Sequence, residues 1–399
     1  MIEKQVLFVS WQGGLGHITR DLAVISALRR MRPQIEVHWL SNQLASKALL
    51  HAGETILSES AGIADYNAFL PQIVSGYSLN VAEYMIATQR HWEKNIELFS
   101  EVIRKYRFDI IIGDEIYELV DALAKGRIYI EPPLFVFEDF IGMLAMSNKR
   151  VEQVAVQRSN RLLIQQASIL KDKVTRFFIG ELGDVPEEAF GSPPISKREF
   201  VETYYHIIGY IIRFDPKNYQ DRDSIKTRLG YGKAPLLVCA TGGTAAGKEL
   251  LELCGKAFLI LKQVIKDLRM VCVYGESYGG LPPELPSGIE LYSYVEELYE
   301  HFAACDMAIV VGGGTTTIEL TALQRPFVFF PLEKQFDQQI YISRRLERHG
   351  AGIRMTYNNT SPEKLSDEIL QNMTRRATWQ PIPTDGAENA ARIISESLA

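Results

Sequence analysis

Four consecutive apolar residues, Val6-Leu7-Phe8-Val9, run straight into the glycine cluster Gly13-Gly14-Leu15-Gly16-His17. A helical pattern follows at once, with Leu22, Ile25 and Leu28 at helical spacing and arginines on the other side. A second segment, 36–40, reads as another strand. Strand, glycine turn, helix and strand in that order form a βαβ unit, whose crossover obliges the two strands to lie parallel. The alternation continues with strands expected at 109–112, 134–137 and 177–179, separated by long helices at 81–106 and 151–170. It restarts near Pro235, where Leu236-Leu237-Val238-Cys239 leads to Thr241-Gly242-Gly243-Thr244. A helix from 248 to about 265 and strands at 270–274, 289–291, 307–311 and 327–330 follow. The pattern belongs to an α/β chain with parallel sheets.

The 399 residues leave room for two or three domains at roughly 150 residues each. Between the two runs lies a polar, irregular stretch, 209–233, with Asp215-Pro216 as a turn signal. The expected organisation is two doubly wound α/β domains, 1–208 and 234–399, joined by the linker 209–233. A terminal helix over 386–398 is able to pack on either domain. Open sheets of this kind bind ligands beyond the carboxyl ends of their strands, where each glycine cluster above falls.

Charge and cysteine usage narrow the function classes. Lys plus Arg is 43 and Asp plus Glu is 49, a net charge of 43 − 49 = −6 that argues against a general nucleic-acid binder. None of the four cysteines is closely paired, and Cys239 and Cys272 sit inside apolar runs, which fits buried thiols in a reducing compartment. No apolar run approaches the roughly 18–20 residues that cross a bilayer. The opening apolar segment is too short for the core of a secretory signal. A cytoplasmic protein is expected, with contact at a membrane surface left open.

Three glycine motifs carry the chemistry. Gly14-Leu15-Gly16 is an incomplete dinucleotide fingerprint: Thr19 occupies the third glycine position, and the second strand ends at Ser41-Asn42 without an acid for a ribose. What the loop does offer is His17 at a helix mouth, able to accept a proton near neutral pH or simply to pack there. An acid at the end of the strand 109–112, Asp114 or Glu115, could orient it, and Asp139 after the strand 134–137 competes for the same role. Gly242 to Lys248 has P-loop spacing, but Glu249 stands where a magnesium-binding hydroxyl belongs. A glycine turn against a diphosphate survives that objection.

The strongest element is Val311-Gly312-Gly313-Gly314-Thr315-Thr316-Thr317-Ile318-Glu319. Glycines and three hydroxyls gathered at a helix N-terminus make an anion site, and Glu319 one turn on suits a sugar diol. A capped helix with a dipole carboxylate would explain the threonines and Glu319 but not the glycine triplet. Asp337 and Gln338 either hydrogen-bond a sugar or cap a helix. Asp221-Arg222-Asp223 imitates a metal-binding acid pair, but helix capping explains it.

On Gly13-Gly14-Leu15-Gly16-His17, Thr241-Gly242-Gly243-Thr244 and the run from Gly312 to Gly352, the chain resembles the family-28 glycosyltransferases. That group includes the bacterial peptidoglycan N-acetylglucosaminyltransferase and plant-type galactolipid synthases. The resemblance implies a GT-B fold, two Rossmann-like domains facing an interdomain cleft. It implies hexosyl transfer from a nucleotide-sugar donor, usually UDP-linked, to an acceptor hydroxyl, inverting and with neither metal nor resident cofactor. Gly243, Thr244, Gly313, Gly314, Thr315 and Thr316 would face the diphosphate, and Tyr294 and Val295 the base. Glu319 would hold the ribose, Asp337 and Gln338 the donor sugar. His17 would be the base, with Asp114 or Glu115 behind it and Gly14 and Gly16 shaping the acceptor side. The peptidoglycan enzyme carries a further glycine where Leu15 stands, so its mode of holding acceptor need not transfer. Lipid, polysaccharide and small-molecule acceptors stay open. So do two rivals, a UDP-sugar 2-epimerase and a non-catalytic nucleotide-sugar-binding module. The segment 132–161 mixes Phe135, Phe137, Phe140, Ile141 and Met143 with Lys149, Arg150, Arg158 and Arg161. It fits either an anionic membrane surface or a core strand followed by a solvated helix face.

Overall fold

The computed structural model describes residues 4–10, 14–64, 66, 70–243, 246–275 and 282–398. The chain divides into two compact units: Met1–Phe69 with Val81–Arg213 and Pro383–Ala399, and Leu70–Asn80 with Phe214–Ile382.

In the first unit, seven strands form a sheet in the order β3-β2-β1-β4-β5-β6-β9. They are β1 (Lys4–Ser10), β2 (Ile35–Ser41), β3 (Thr55–Ile56), β4 (Ile110–Asp114), β5 (Leu134–Glu138), β6 (Val174–Ile179) and β9 (Tyr205–Gly209). All neighbours pair parallel. A side hairpin, β7 (Ala189–Phe190) and β8 (Ile195–Ser196), stands apart from the sheet. The apolar runs are continuous because both faces are covered. Val6, Phe8, Ile110 and Ile112 pack on one face with Val24 and Leu28, while Leu7, Val9 and Ile111 pack on the other with Ile96, Phe99 and Val102. Strand alternation sends adjacent residues to opposite layers, which is how one sheet supports helices on both sides.

The second unit repeats the scheme with six parallel strands in the order β12-β11-β10-β13-β14-β15. These are β10 (Leu236–Ala240), β11 (Arg269–Val273), β12 (Ile289–Tyr292), β13 (Met307–Val311), β14 (Phe327–Phe330) and β15 (Ile353–Arg354). Strand order reverses direction between β1 and β4 in one sheet and between β10 and β13 in the other. Those are the switch points at which doubly wound sheets open a crevice.

The division between units falls after Arg213, inside the expected linker 209–233, but the units are not contiguous in sequence. Residues 70–80 join the second unit, where the Tyr77 hydroxyl donates to the Phe330 carbonyl at 2.6 Å. The Tyr77 ring stacks on Tyr357 at 4.6 Å, and Leu79 N–H donates to Glu333 at 2.9 Å. The terminal helix, Gly386–Glu396, belongs to the first unit: Ala387, Ala390, Ala391 and Ile394 complete the core under β1.

Other departures are local. The helix expected over 81–106 is broken into Val81–Thr88, a short 3-10 turn and Trp92–Lys105. Asp221 caps the helix Arg222–Arg228 by accepting from Ser224 N–H at 3.0 Å, as its sequence context implies. In the segment 132–161, Phe135, Phe137, Ile141 and Met143 are core residues, while Lys149, Arg150, Arg158 and Arg161 are exposed.

Candidate active site

In the first unit the switch point brings together the ends of β1 and β4. The helix Leu15–Met31 starts beside β1, with Gly14 at its N-cap at φ 106°. That backbone conformation is strained for any residue with a Cβ, so Gly14 has a backbone reason to be glycine. Gly16 lies in the helix's first turn, and Gly13 is outside the described residues. His17 follows on the same turn, and its Nδ1 lies 2.7 Å from Asp114 Oδ2 at the end of β4.

Between them sits Arg20, which the sequence reading placed among solvent-facing arginines. It is only 7% exposed. Its Nη2 donates to Asp114 Oδ1 at 2.5 Å and its Nε to Asp114 Oδ2 at 3.1 Å, while its Nη1 donates to Asp139 at 2.7 Å. Glu115 Oε1 is 3.5 Å from Nη2. Asp114 is therefore the acid on His17. Glu115 and Asp139 reach the site through Arg20.

The protonation pattern follows from these contacts. Burial alone would push the Asp114 carboxyl up, but Arg20 and then His17 outweigh it and hold its pKa at about 2. For Glu115, burial pushes the pKa well above the usual carboxylate range, and the neighbouring Asp139 adds to the rise. The surroundings thus favour the protonated form of Glu115, which is held at φ 51°, a conformation that costs a non-glycine residue about 1–3 kcal/mol. Asp21 is raised likewise, by burial and then by Asp114, and the Ser10 hydroxyl donates to it at 2.5 Å. Candidate ligand atoms of His17, Asp114 and Glu115 lie within 4.8 Å of one another. The Arg20 guanidinium already stands among them with its charge and occupies both Asp114 oxygens, so this donor set suits a divalent cation poorly.

In the second unit, the switch point lies between β10 and β13. After β10 come Gly242, at φ 77°, and Gly243, while Thr244 lies outside the described residues. A Cβ on Gly275 would stand 2.3 Å from the Gly242 carbonyl oxygen, so two loops meet here at a distance only glycine permits. After β13, Gly313 N–H turns back to the Val311 carbonyl at 2.7 Å, and the helix Gly314–Ala322 begins. Residues 313–316 are half-exposed, which presents the positive end of the helix to solvent.

Side chains here divide into outward and inward sets. Of the three threonines, Thr317 is turned in: its hydroxyl donates to the Gly313 carbonyl at 2.7 Å and accepts from Arg345 at 2.6 Å. Thr315 and Thr316 remain at the mouth. Glu319 is 5% exposed on the next turn. Tyr294 is exposed and Val295 packs on the core, both between β12 and the helix Leu298–Ala304. Asp337 opens a π-helical turn, Asp337–Ile342, and accepts from Gln335 at 3.2 Å. Gln338 is buried, and its side-chain oxygen accepts from Leu332 N–H at 2.8 Å. That contact braces the turn after β14.

Residues 237–396 match the glycosyltransferase family 28 C-terminal domain. The chain is 22% identical over 375 residues to the UDP-N-acetylglucosamine–N-acetylmuramyl-(pentapeptide) pyrophosphoryl-undecaprenol N-acetylglucosamine transferase of Acetivibrio thermocellus, covering 91% of this chain and 88% of that one. The identically named protein of Symbiobacterium thermophilum is 25% identical, covering 95% and 92%. Among solved structures, the kitacinnamycin glycosyltransferase superposes with a TM-score of 0.62 at 14% identity, over the full length of both chains. MurG of Acinetobacter baumannii superposes with 0.53 at 15%, covering 98% and 99%. These structural neighbours share the fold, and it is GT-B.

Proposed function

For this chain, a family-28-like glycosyltransferase on a GT-B fold, we propose inverting transfer of a hexosyl group from a UDP-sugar to an acceptor hydroxyl, without a metal ion. The observation that carries the reading is the 2.7 Å contact between His17 Nδ1 and Asp114 at the β1/β4 switch point. Asp114 accepts the Nδ1–H and stabilises the imidazolium that forms, so Nε2 is the basic atom. It takes the acceptor's proton as the acceptor oxygen attacks the anomeric carbon, and such assistance gives about 10²–10⁴-fold. The C–O bond to the diphosphate breaks, and its electron pair leaves with the phosphate. The second unit holds that leaving group. The half-exposed first turn at Gly314, Thr315 and Thr316, with Gly313 at its mouth and, by the family resemblance, Gly243 and Thr244, would offer amides and hydroxyls to the growing negative charge in place of a cation. Tyr294 and Val295 would meet the base, Glu319 the ribose, and Asp337 with Gln338 the sugar.

The names of the full-length relatives specify a UDP-N-acetylglucosamine donor and an undecaprenol-linked acceptor. They support a lipid-linked hydroxyl as the acceptor class here. Among the described residues no helix is long and apolar enough to cross a membrane. Peripheral contact is instead assigned to the helix Arg150–Ile169, where Val151 and Val154, 76% and 55% exposed, share a face with exposed Arg158 and Arg161. Co-sedimentation with phosphatidylglycerol vesicles, lost in V151D/V154D, tests that contact.

The transferase reading is tested by incubating the protein with a panel of UDP-sugars and lipid-linked and soluble acceptors in the presence of EDTA. Acceptor-dependent UDP release and an inverted anomeric centre by NMR are expected. Sugar conversion without acceptor, or activity abolished by EDTA, would refute it.

A further inference from the structure

Arg20 is a cation on the buried stripe of the helix Leu15–Met31, in line with Val24, Ala27 and Leu28 at helical spacing. An apolar residue at such a position would serve packing better, since a buried charge needs compensation on every side. Compensation is present: both oxygens of Asp114 and one of Asp139 accept from its guanidinium, in the planar fork geometry that only arginine offers. The same guanidinium places Nη2 2.9 Å from His17 Nδ1. Two donors cannot hydrogen-bond to each other. With Asp114 ionised and 2.7 Å away, Nδ1 carries its proton toward the carboxylate, and the arginine contact is one of charge.

Resting on the transferase reading above, we propose that Arg20 is a positioning residue of the transfer reaction: it clamps Asp114 by both oxygens behind His17. One consequence follows from the geometry. Asp114 is held at both oxygens and cannot rotate away from Nδ1, so the tautomer with its lone pair on Nε2 is the favoured one. The imidazolium forms as the acceptor O–H bond breaks and the new C–O bond forms, and its proton then passes to solvent. Among the described residues, the charged or titratable groups around His17 are Arg20 and Asp21 on its own helix, Asp114 and Glu115 from the end of β4, and Asp139 after β5. Of these only Arg20 is a fixed cation. The depressed Asp114 carboxyl agrees with the arrangement.

The test is the kinetics of the wild type, R20K and R20M, with donor and acceptor from the panel above. In R20M, kcat is expected to fall by at least about tenfold while the donor KM stays within about threefold of the wild type. R20K keeps the charge and loses the fork, so it restores only part of kcat. A wild-type kcat in R20M, or a loss carried by donor KM, would overturn the proposal. Imidazole ¹⁵N NMR of the neutral ring reads the clamp directly: the Nδ1–H tautomer at His17 dominates in the wild type and gives way to a mixture with Nε2–H in R20M, and an unchanged tautomer in R20M would reduce Arg20 to packing. Failure of the wild type to transfer any sugar would instead remove the transferase reading and leave the NMR result standing.

Discussion

Gly313 offers a way to separate a glycine required by the fold from one required by a ligand. Its backbone lies at φ −70° and ψ 145°, open to any residue, and a Cβ there would meet no heavy atom within 4 Å. The folded protein therefore has no use for the missing side chain, in contrast to Gly275 and its 2.3 Å approach to the Gly242 carbonyl. Replacing glycine with alanine where the backbone already suits it stabilises by about 0.4–1 kcal/mol, through the narrowed unfolded ensemble. Alanine is a poorer N-cap than glycine by a comparable amount, so G313A should melt close to the wild-type temperature. Gly313 is also the N-cap residue, so its Cβ stands at the mouth of the helix where the diphosphate is proposed to sit. A charge-assisted hydrogen bond is worth about 1.5–3 kcal/mol, and displacing a phosphate oxygen from one amide corresponds to roughly a 10–100-fold loss of UDP affinity. Thermal denaturation without ligand and calorimetric titration with UDP read the two effects separately. A lower melting temperature would make Gly313 structural. Unchanged UDP affinity would place the diphosphate elsewhere.

Three further outcomes are expected. H17A should keep UDP affinity while acceptor-dependent turnover falls by about 10²–10⁴, and stopped-flow or NMR assays that show normal turnover would remove His17 from the chemistry. Glu115 keeps its proton in the fold above its unfolded pKa of about 4.3, so stability declines as pH rises from there toward its raised folded pKa. E115Q abolishes this, and its stability advantage over the wild type should grow by about 1.4 kcal/mol per pH unit in that window; parallel urea curves at pH 4, 5.5 and 7 would contradict the neutral acid. D221A should cost about 1 kcal/mol as a lost helix cap, with transfer activity unchanged, whereas an activity loss restored by manganese would return Asp221 to a metal role.

Much of the fold was legible because buried parallel strands read as unbroken apolar runs, as at residues 6–9 and 307–311. Where the signal was weak, so was the reading. The short edge strands β9 and β15 lack such a run, and the breaks in the helix over 81–106 follow no proline or glycine. Residues 70–80 pack with the second unit through Tyr77 and Leu79, a long-range choice that local pattern does not encode. At the site, His17 and Asp114 were accessible as residues at the carboxyl ends of strands. Arg20 was missed because arginines were assigned to the solvent face by type. Its position four residues before Val24, on the apolar stripe, was the available signal. Thr317 shows the converse: residue type pointed to a ligand, but its hydroxyl donates to the Gly313 carbonyl of its own helix start.

A crystal structure of the protein with UDP tests the central claim most directly. The diphosphate should lie against the backbone amides of Gly314 to Thr316, with Gly243 alongside. Density for UDP bound away from that helix start, or no binding at saturating nucleotide, would contradict it.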